Sequence, residues 1–540
     1  MDISNQLKNL FNSHSDAEKI FVSIGHPSQK ALVKMFKSHN DDRNIKKYIE
    51  AFRKNTGKKA EWIKIDFVTS IEKIKYEQLK HDLTHTRRNY VEYGFSLDNN
   101  WELEFLPEEI NNNAFIRPEP NSKELFMSEK NINNYIKKYK RIRKYFTHRN
   151  YENEDVYKFY TKSYFIEKDQ LIELEEKGYR KGLRKIDNIN EEIDRLIETS
   201  THFLKNQIQD NGKYIYGYFP HFDKEIGFYN NLRHSSSTYA LIEGLSYLNE
   251  DVTIVEKAID YLIKHYLFEV DGAGYIFDDT EGVNEIKLGQ NAAFIFAICE
   301  YLKHVPEKNQ YLEAAQKVAK GILTMIDDQQ QTIHVLNYPD LTTKEQFRIV
   351  YYDGEAALAL LRLYQIDHNE EWVNTVKMLF EMFIEKKYWK YHDHWLGYCT
   401  NELVQIDPQE KYYKFGIQNV SSYLDYMQQR ETTFPTFLEM LMATYHLVEK
   451  AKKTGYAELV ETYLDEEKFI NTIHLRADYE RIGYFYPEIA MYFKNPARIV
   501  NSFFIKHHGY RVRIDDIEHY LSKYVQYQKV FSTKKTNIYI

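Results

Sequence analysis

TYALIEGLSYLNEDVTIVEKAIDYLIKHYL, residues 238–267, reads as two helical patterns joined by a polar turn. The first is apolar on nearly every side, as a helix packed all round must be. The second repeats its apolar residues at three and four positions, so only one face asks for burial. Asn249, Glu250 and Asp251 interrupt the apolar run between them and supply turn chemistry. The same unit recurs at 292–323 (AAFIFAICEYL…), 355–384 (EAALALLRLY…), 394–424 (HWLGYCTNEL…) and 436–464 (TFLEMLMATY…). RIDDIEHYLSKYVQYQKV, 513–530, begins a sixth inner segment with no partner after it. EEIDRLIETSTHFLKNQIQ, 191–209, has the amphipathic pattern that can supply that partner by lying beside it.

Six apolar inner helices with six amphipathic outer ones predict a mainly α fold over 189–540, an (α/α)6 toroid. An open array of such units would end in polar capping repeats, and none is seen. Inner helices of a closed ring run parallel, so their N-terminal ends open on one side. The residues leading into them are LRHSS (232–236), KLGQNAA (287–293), YYDGEAA (351–357), YHDHWLGY (391–398), QRETTFP (429–435) and VRIDDIEH (512–519). All six are polar, which predicts a common pit lined by these groups.

Each mouth has a structural and a functional reading. Asp353, Asp393 and Thr432 can cap helix N-termini by accepting from free backbone N–H groups. Capping does not account for Arg233, Arg430 and Arg513, because a cation opposes the positive end of a helix. Paired carboxylates or an anionic ligand do. Arg233 and His234 can clamp a carboxylate or hydroxyl, or Arg233 can pair with Asp353 or Asp515. Gln290 and Asn291 offer amide hydrogen bonds suited to sugar hydroxyls, and Tyr352, Asp353 and Glu355 form the densest acid cluster. Asp393, His394 and Trp395 bring an acid, an imidazole and a stacking ring together, while Arg430 with Glu431 and Arg513 with Asp515 and Asp516 complete the ring. His519 lies deeper in its helix, where a hydrogen-bonded core histidine competes with catalysis. His392 and His394 stand two residues apart and do not share a helix face, so no metal is assigned, nor any cofactor.

The remainder of the chain has a different rhythm. FVSIG (21–25) and WIKIDFV (62–68) alternate as half-buried strands do, and YVEYGFSLDNNWELEFL (90–106) predicts a hairpin around Asp98-Asn99-Asn100. With helical patterns at about 28–55 and 70–87, residues 1–115 read as a small α+β domain. Residues 116–188 read as a connecting region with one or two helices. Within it IKKYKRIRKYFTHR (136–149) spreads its cations around a helix rather than along one face, as a solvated helix does.

The net charge of −7 gives no general attraction to nucleic acid. Cys299 and Cys399, the only cysteines, sit in apolar helical patterns and build no disulfide framework or cysteine zinc site. The first thirty residues lack a secretion signal and no window approaches eighteen apolar residues, so a cytoplasmic protein is expected. Phosphate-cradling glycine loops, a dinucleotide fingerprint and a serine elbow are all missing from the sequence.

The repeats and their polar mouths resemble the six-hairpin glycosidase-like toroids. YDGEAALALLRLY (352–364) and RIDDIEHYLS (513–522) are similar to the C-terminal helical domain of glucuronyl C5-epimerases, and the hairpin rhythm resembles the N-acylglucosamine 2-epimerases. The resemblance covers 189–540 and implies a carbohydrate substrate in the pit, with His, Tyr or carboxylate groups moving protons. The full paired-histidine pattern of the 2-epimerases does not align; His394 and His519 are loosely placed analogues. The leading expectation is glycoside hydrolysis by a carboxylate pair drawn from Glu355, Asp393, Glu431 and Asp515. The alternatives are epimerisation or elimination at an acidic sugar, with His394 or Tyr352 moving the proton and the arginines holding the carboxylate, and a glycan-binding or scaffold protein whose N-terminal domain recruits a protein partner.

Overall fold

The computed structural model describes residues 3–37 and 42–532. The chain forms two compact units. One holds residues up to Asp187 together with 218–225 and 482–512, and the other holds 188–217, 226–481 and the chain from Arg513.

The first unit is built on a seven-stranded antiparallel sheet with strands β1 (Ile20–His26), β2 (Gln29–Phe36), β3 (Trp62–Lys75), β4 (Gly94–Ser96), β5 (Glu104–Phe105), β6 (Asp155–Glu167) and β7 (Gln170–Glu173). Its order is β2-β1-β3-β6-β4-β5, with β7 paired to β6. Alternation sets one face: Ile20, Val22 and Ile24 of β1 join Ile63, Ile65 and Phe67 of β3 in a core closed by Leu7, Leu10 and Phe11 of the first helix. The predicted hairpin is present, Phe95 facing Phe105.

Three expectations are corrected in this unit. Residues 29–36, expected as helix, form β2, because Ile20 to Ile24 pair with Phe36 to Leu32 and tertiary pairing outweighs a short apolar pattern that suits either state. Residues 116–188 are more than a connector: β6 lies between β3 and β4 in the sheet. The basic helix ends early, since Glu129–Tyr135 runs into a π turn at Ile136–Lys140, and Lys140 is buried against Glu104 and Glu109.

The second unit is a ring of helices. The inner ones are α2 (Asn231–Tyr247), α4 (Leu288–Leu302), α6 (Tyr351–Asp367), α8 (His394–Ile406), α10 (Thr436–Lys453) and α12 (Ile514–Phe531). Each packs on the next, and α12 packs on α2, which closes the circle as the repeats predict. The outer helices are α1 (Ile189–Lys205), α3 (Glu256–Tyr266), α5 (Asn309–Thr324), α7 (Glu370–Glu385), α9 (Glu410–Ser421) and α11 (Glu466–Tyr479). As expected, α1 fills the last outer place by packing against α12 and α2.

Pattern explains layer. Residues 288–299 of α4 are all buried, whereas α5 buries one stripe: Tyr311, Ala314, Ala315, Val318, Ala319 and Ile322. Cys299 and Cys399 are buried free thiols. The fifth repeat departs from the pattern, because a short helix at Ala457–Tyr463 precedes α11 and both pack on α10.

A five-stranded antiparallel meander not anticipated from sequence lies in the loops of this unit: β8 (Leu267–Val270), β9 (Ala273–Asp278), β10 (Glu285–Lys287), β11 (Val335–Asn337) and β12 (Thr343–Glu345). It feeds β10 directly into α4 and leads toward α6, which fixes where two mouths begin. No helix among the described residues is long and apolar enough to cross a membrane.

Candidate active site

Several mouth residues serve the fold. The His234 ring is engaged at both nitrogens, Nε2 with the Ala258 carbonyl at 2.9 Å and Nδ1 with the Tyr229 hydroxyl at 2.8 Å, and it stacks on Tyr261. Burial pushes its pKa down to about 3, so it is a neutral core histidine and not a ligand clamp. Asn291 accepts from the Ile276 N–H at 2.7 Å and donates to the Lys287 carbonyl at 2.8 Å, pinning the meander to α4. Gln290 donates to the Phe277 carbonyl at 3.2 Å, and its Oε1 is buried without a partner among the described residues.

Asp353 takes a hydrogen bond from Thr332 and lies 3.4 Å from His334 Nε2. Asp393 is fully buried and caps α8, accepting from the Trp395 N–H at 2.9 Å, while Asn419 brackets its backbone. Burial holds the Asp393 carboxyl far above the usual range, against the helix N–H groups that it faces. Trp395 is also buried and stacks on Phe296 with centroids 5.2 Å apart.

The fifth mouth is held by its backbone. Arg476 donates to the Arg430 carbonyl at 3.0 Å and to Glu480 at 2.9 Å, and Tyr479 donates to the Glu431 carbonyl. The Glu431 side chain is exposed, and Arg430 turns to Thr432 and Tyr426. Neither completes a charged ring with Arg513.

The other mouth residues do come together. Arg233 on α2 reaches Asp515 on α12 at 3.0 Å and donates to the Tyr216 hydroxyl at 2.7 Å. Arg513 holds Asp516 with two bonds, at 2.8 and 3.1 Å, and lies 3.1 Å from Asp515. Two arginines thus stand against two aspartates, so no net positive charge is left over. Asp515 Oδ1 remains buried and without a partner among the described residues.

Beside this cluster three inner helices place His394 (α8), Glu439 (α10) and His519 (α12) around one point. His519 Nδ1 donates to Glu439 Oε2 at 3.1 Å. His394 Nε2 stands 3.9 Å from the same oxygen and finds no hydrogen-bond partner among the described residues; the two imidazole centroids are 5.8 Å apart.

The histidines are pushed in opposite directions. Burial lowers His394 to about 4, which favours the neutral ring. Burial also works against protonated His519, but Glu518 and Glu439 outweigh it and raise the ring to about 10. Glu439 is correspondingly held below its ordinary range, since His519 overcomes the effect of burial. Glu518 is pushed up to about 8 by burial, with Glu439 adding to the shift and His519 opposing it. Glu355 is raised further by burial and by Asp393 and Glu518, and its Oε2 is unpartnered among the described residues. A side chain at Gly289 would run into that oxygen and the Tyr352 ring, which places both over the first turn of α4.

Glu439, Glu518 and Tyr351, whose ring meets His394 edge-on at 5.5 Å, were not anticipated from the sequence. Glu439 carried a usable signal: it is the one charged residue in TFLEMLMATY.

No family model matches the chain, and no curated protein matches it. Among solved structures it is similar to a cellobiose 2-epimerase from Bacillus thermoamylovorans, at 13% identity and a TM-score of 0.48 over 64% of this chain and 100% of that one. A D-mannose isomerase gives 11% and 0.47 over 64% and 98%, and a GH76 α-mannanase from Bacteroides thetaiotaomicron gives 10% and 0.46 over 63% and 97%.

Proposed function

We propose that this protein is an enzyme of carbohydrate metabolism that epimerises or isomerises a sugar at the mouth of the toroid, with His394 as base and His519 as acid. The observation that carries this reading is the pairing of a neutral imidazole, bare at Nε2, with a protonated one whose ring centroid is 5.8 Å away. A catalytic pair works when its environments separate the two pKa values, and here burial and the Glu439–Glu518 carboxyls do so.

In the open-chain sugar the C–H bond next to the carbonyl breaks. His394 Nε2 takes the proton, the electron pair moves into an enediol, and His519 gives its proton to the carbonyl oxygen. His519 then takes back an enediol hydroxyl proton as the carbonyl re-forms, and His394 returns its proton to carbon. The proton goes to the other face of the same carbon, once the enediol has turned, for the epimer, or to the neighbouring carbon for the isomer. The substrate is a neutral sugar, because Arg233 and Arg513 are already balanced by Asp515 and Asp516.

Hydrolysis has one observation in its favour. Burial raises Glu355 well above the ordinary carboxylate range, and Asp515, raised by burial too, lies against two arginines that favour its charged form, an arrangement in which one carboxyl can serve as acid and the other as base. Incubation of the protein with neutral reducing sugars and oligosaccharides in heavy water separates the two. Deuterium carbon-bound in an otherwise intact product is expected. New reducing ends without carbon-bound deuterium would transfer the function to Glu355 and Asp515, and neither outcome with any sugar tried would leave a binding protein.

A further inference from the structure

We propose that His394, Glu439 and His519 form a binding site for a borderline divalent cation of the zinc class. This is argued from geometry; a cation held there would occupy His394 Nε2 and displace the proton of His519, so the proton transfer proposed above belongs to the metal-free chain. His394, Glu439 and His519 offer one donor atom each, and the three atoms lie within 4.8 Å of one another. Two imidazole nitrogens and one carboxylate oxygen are the donor set of open, three-ligand zinc sites. With metal–ligand bonds of about 2.0–2.2 Å, tetrahedral geometry puts donors about 3.3 Å apart. The separations from Glu439 Oε2, 3.1 Å to His519 Nδ1 and 3.9 Å to His394 Nε2, bracket that value. Small side-chain rotations close the remainder, because the donors come from three rigid helices that already aim them at one point.

Two further observations point to a cation there. His394 Nε2 is a buried nitrogen with no hydrogen-bond partner among the described residues. Glu518 Oε1, likewise buried and unpartnered there, stands 3.5 Å from His519 Nδ1 and is placed to serve as a fourth donor or to hold a metal-bound water. Soft-metal selectivity through cysteine is excluded at this point, since Cys299 and Cys399 are committed to the helix core. Hard cations such as Mg2+ prefer all-oxygen shells and fit the two imidazoles poorly.

The site is tested on the full chain, freed of metal with a chelator and titrated with Co2+, whose visible spectrum reports coordination, and then with Zn2+ in competition. One Co2+ per chain is expected, with the intensified absorption of four- or five-coordinate cobalt, displaced by one equivalent of Zn2+. Glu439→Gln and His394→Gln should each weaken binding at least about tenfold, the lower edge of what even an outer-shell partner costs. A spectrum that stays that of hydrated Co2+, or variants that bind as tightly as the natural chain, would overturn the assignment. Should either variant fail to fold, X-ray absorption at the zinc edge of the natural chain decides: two imidazoles in the shell support the site, and a shell without them refutes it. Deuterium exchange into sugar is measured separately in chelator, so the fate of the proton-transfer reading is decided independently.

Discussion

The mouths of α2 and α8 share a plan in the sequence, each a polar segment with a histidine ahead of an apolar helix, the second adding an acid and a stacking ring, and the structure gives their histidines opposite fates. At the α2 mouth His234 has both ring nitrogens engaged, with Tyr229 and Ala258, and it braces an inner helix against an outer one. At the α8 mouth His394 leaves Nε2 unpartnered among the described residues while Glu439 and His519 stand beside it. A buried polar atom with its bonds made stabilises; one held without a partner has a free energy cost that folding must offset, and chemistry can use it. Polarity at a mouth therefore marks where a site can be, and only satisfaction of each atom tells which residues form it.

The comparison breaks most visibly at His394. His394→Gln should cut turnover about a hundredfold or more, the contribution of a positioned general base, while thermal unfolding stays near that of the natural chain. Equal loss of activity in His234→Gln, measured per folded molecule, would erase the distinction between the mouths.

Rate against pH sharpens it next. Turnover should fall as pH drops through about 4, where His394 takes up a proton, and again as pH rises through about 10, where His519 gives one up. Glu439→Gln removes one of the carboxyls that raise His519, so the upper limb should move down toward 6.5, the ordinary histidine value. An upper limb that stays in place would take the acid role from His519.

Stability reads the other mouth. His234→Ala removes the bonds to the Ala258 carbonyl and the Tyr229 hydroxyl, together with the ring's stacking on Tyr261, and should cost about 1–3 kcal/mol, measured by denaturant unfolding. The sign with pH follows from the depressed folded-state value: the unfolded chain binds a proton at His234 below 6.5 while the folded one does not. The stability it contributes is full above that value and is lost as pH falls through about 3. The smallest effect belongs to Asp393→Asn. Burial pushes the carboxyl well above its ordinary range, toward the neutral form that asparagine imitates, and asparagine caps a helix as well as aspartate, so stability should change by no more than a few tenths of a kcal/mol. A large loss of turnover there would restore Asp393 to the chemistry.

The ring was legible because repetition states it six times: inner helices apolar all round, outer ones striped, and an unmatched stripe at 191–209 for the unmatched segment at 513–530. The strands β2 and β6 were not, since QKALVKMF also suits a helix and DVYKFYTKSYFIE owes its strand state to pairing with β3. Three-residue strands of the meander carry too little pattern to read. In the site, Arg233 with Asp515 and Arg513 with its aspartates were visible as charges that capping could not explain. Glu439 and Glu518 lie inside their helices rather than ahead of them, and a carboxylate one turn inside reaches the same opening.

Closure of α12 on α2 sets a condition on biosynthesis. A solenoid can gain stability unit by unit as it leaves the ribosome, but here the face of α2 that meets α12 waits for a stretch near the far end of the chain. Until residues 514–531 emerge, the nascent protein carries an unsealed apolar seam, and trimming that last helix should release aggregation where loss of one repeat from an open array would merely shorten it.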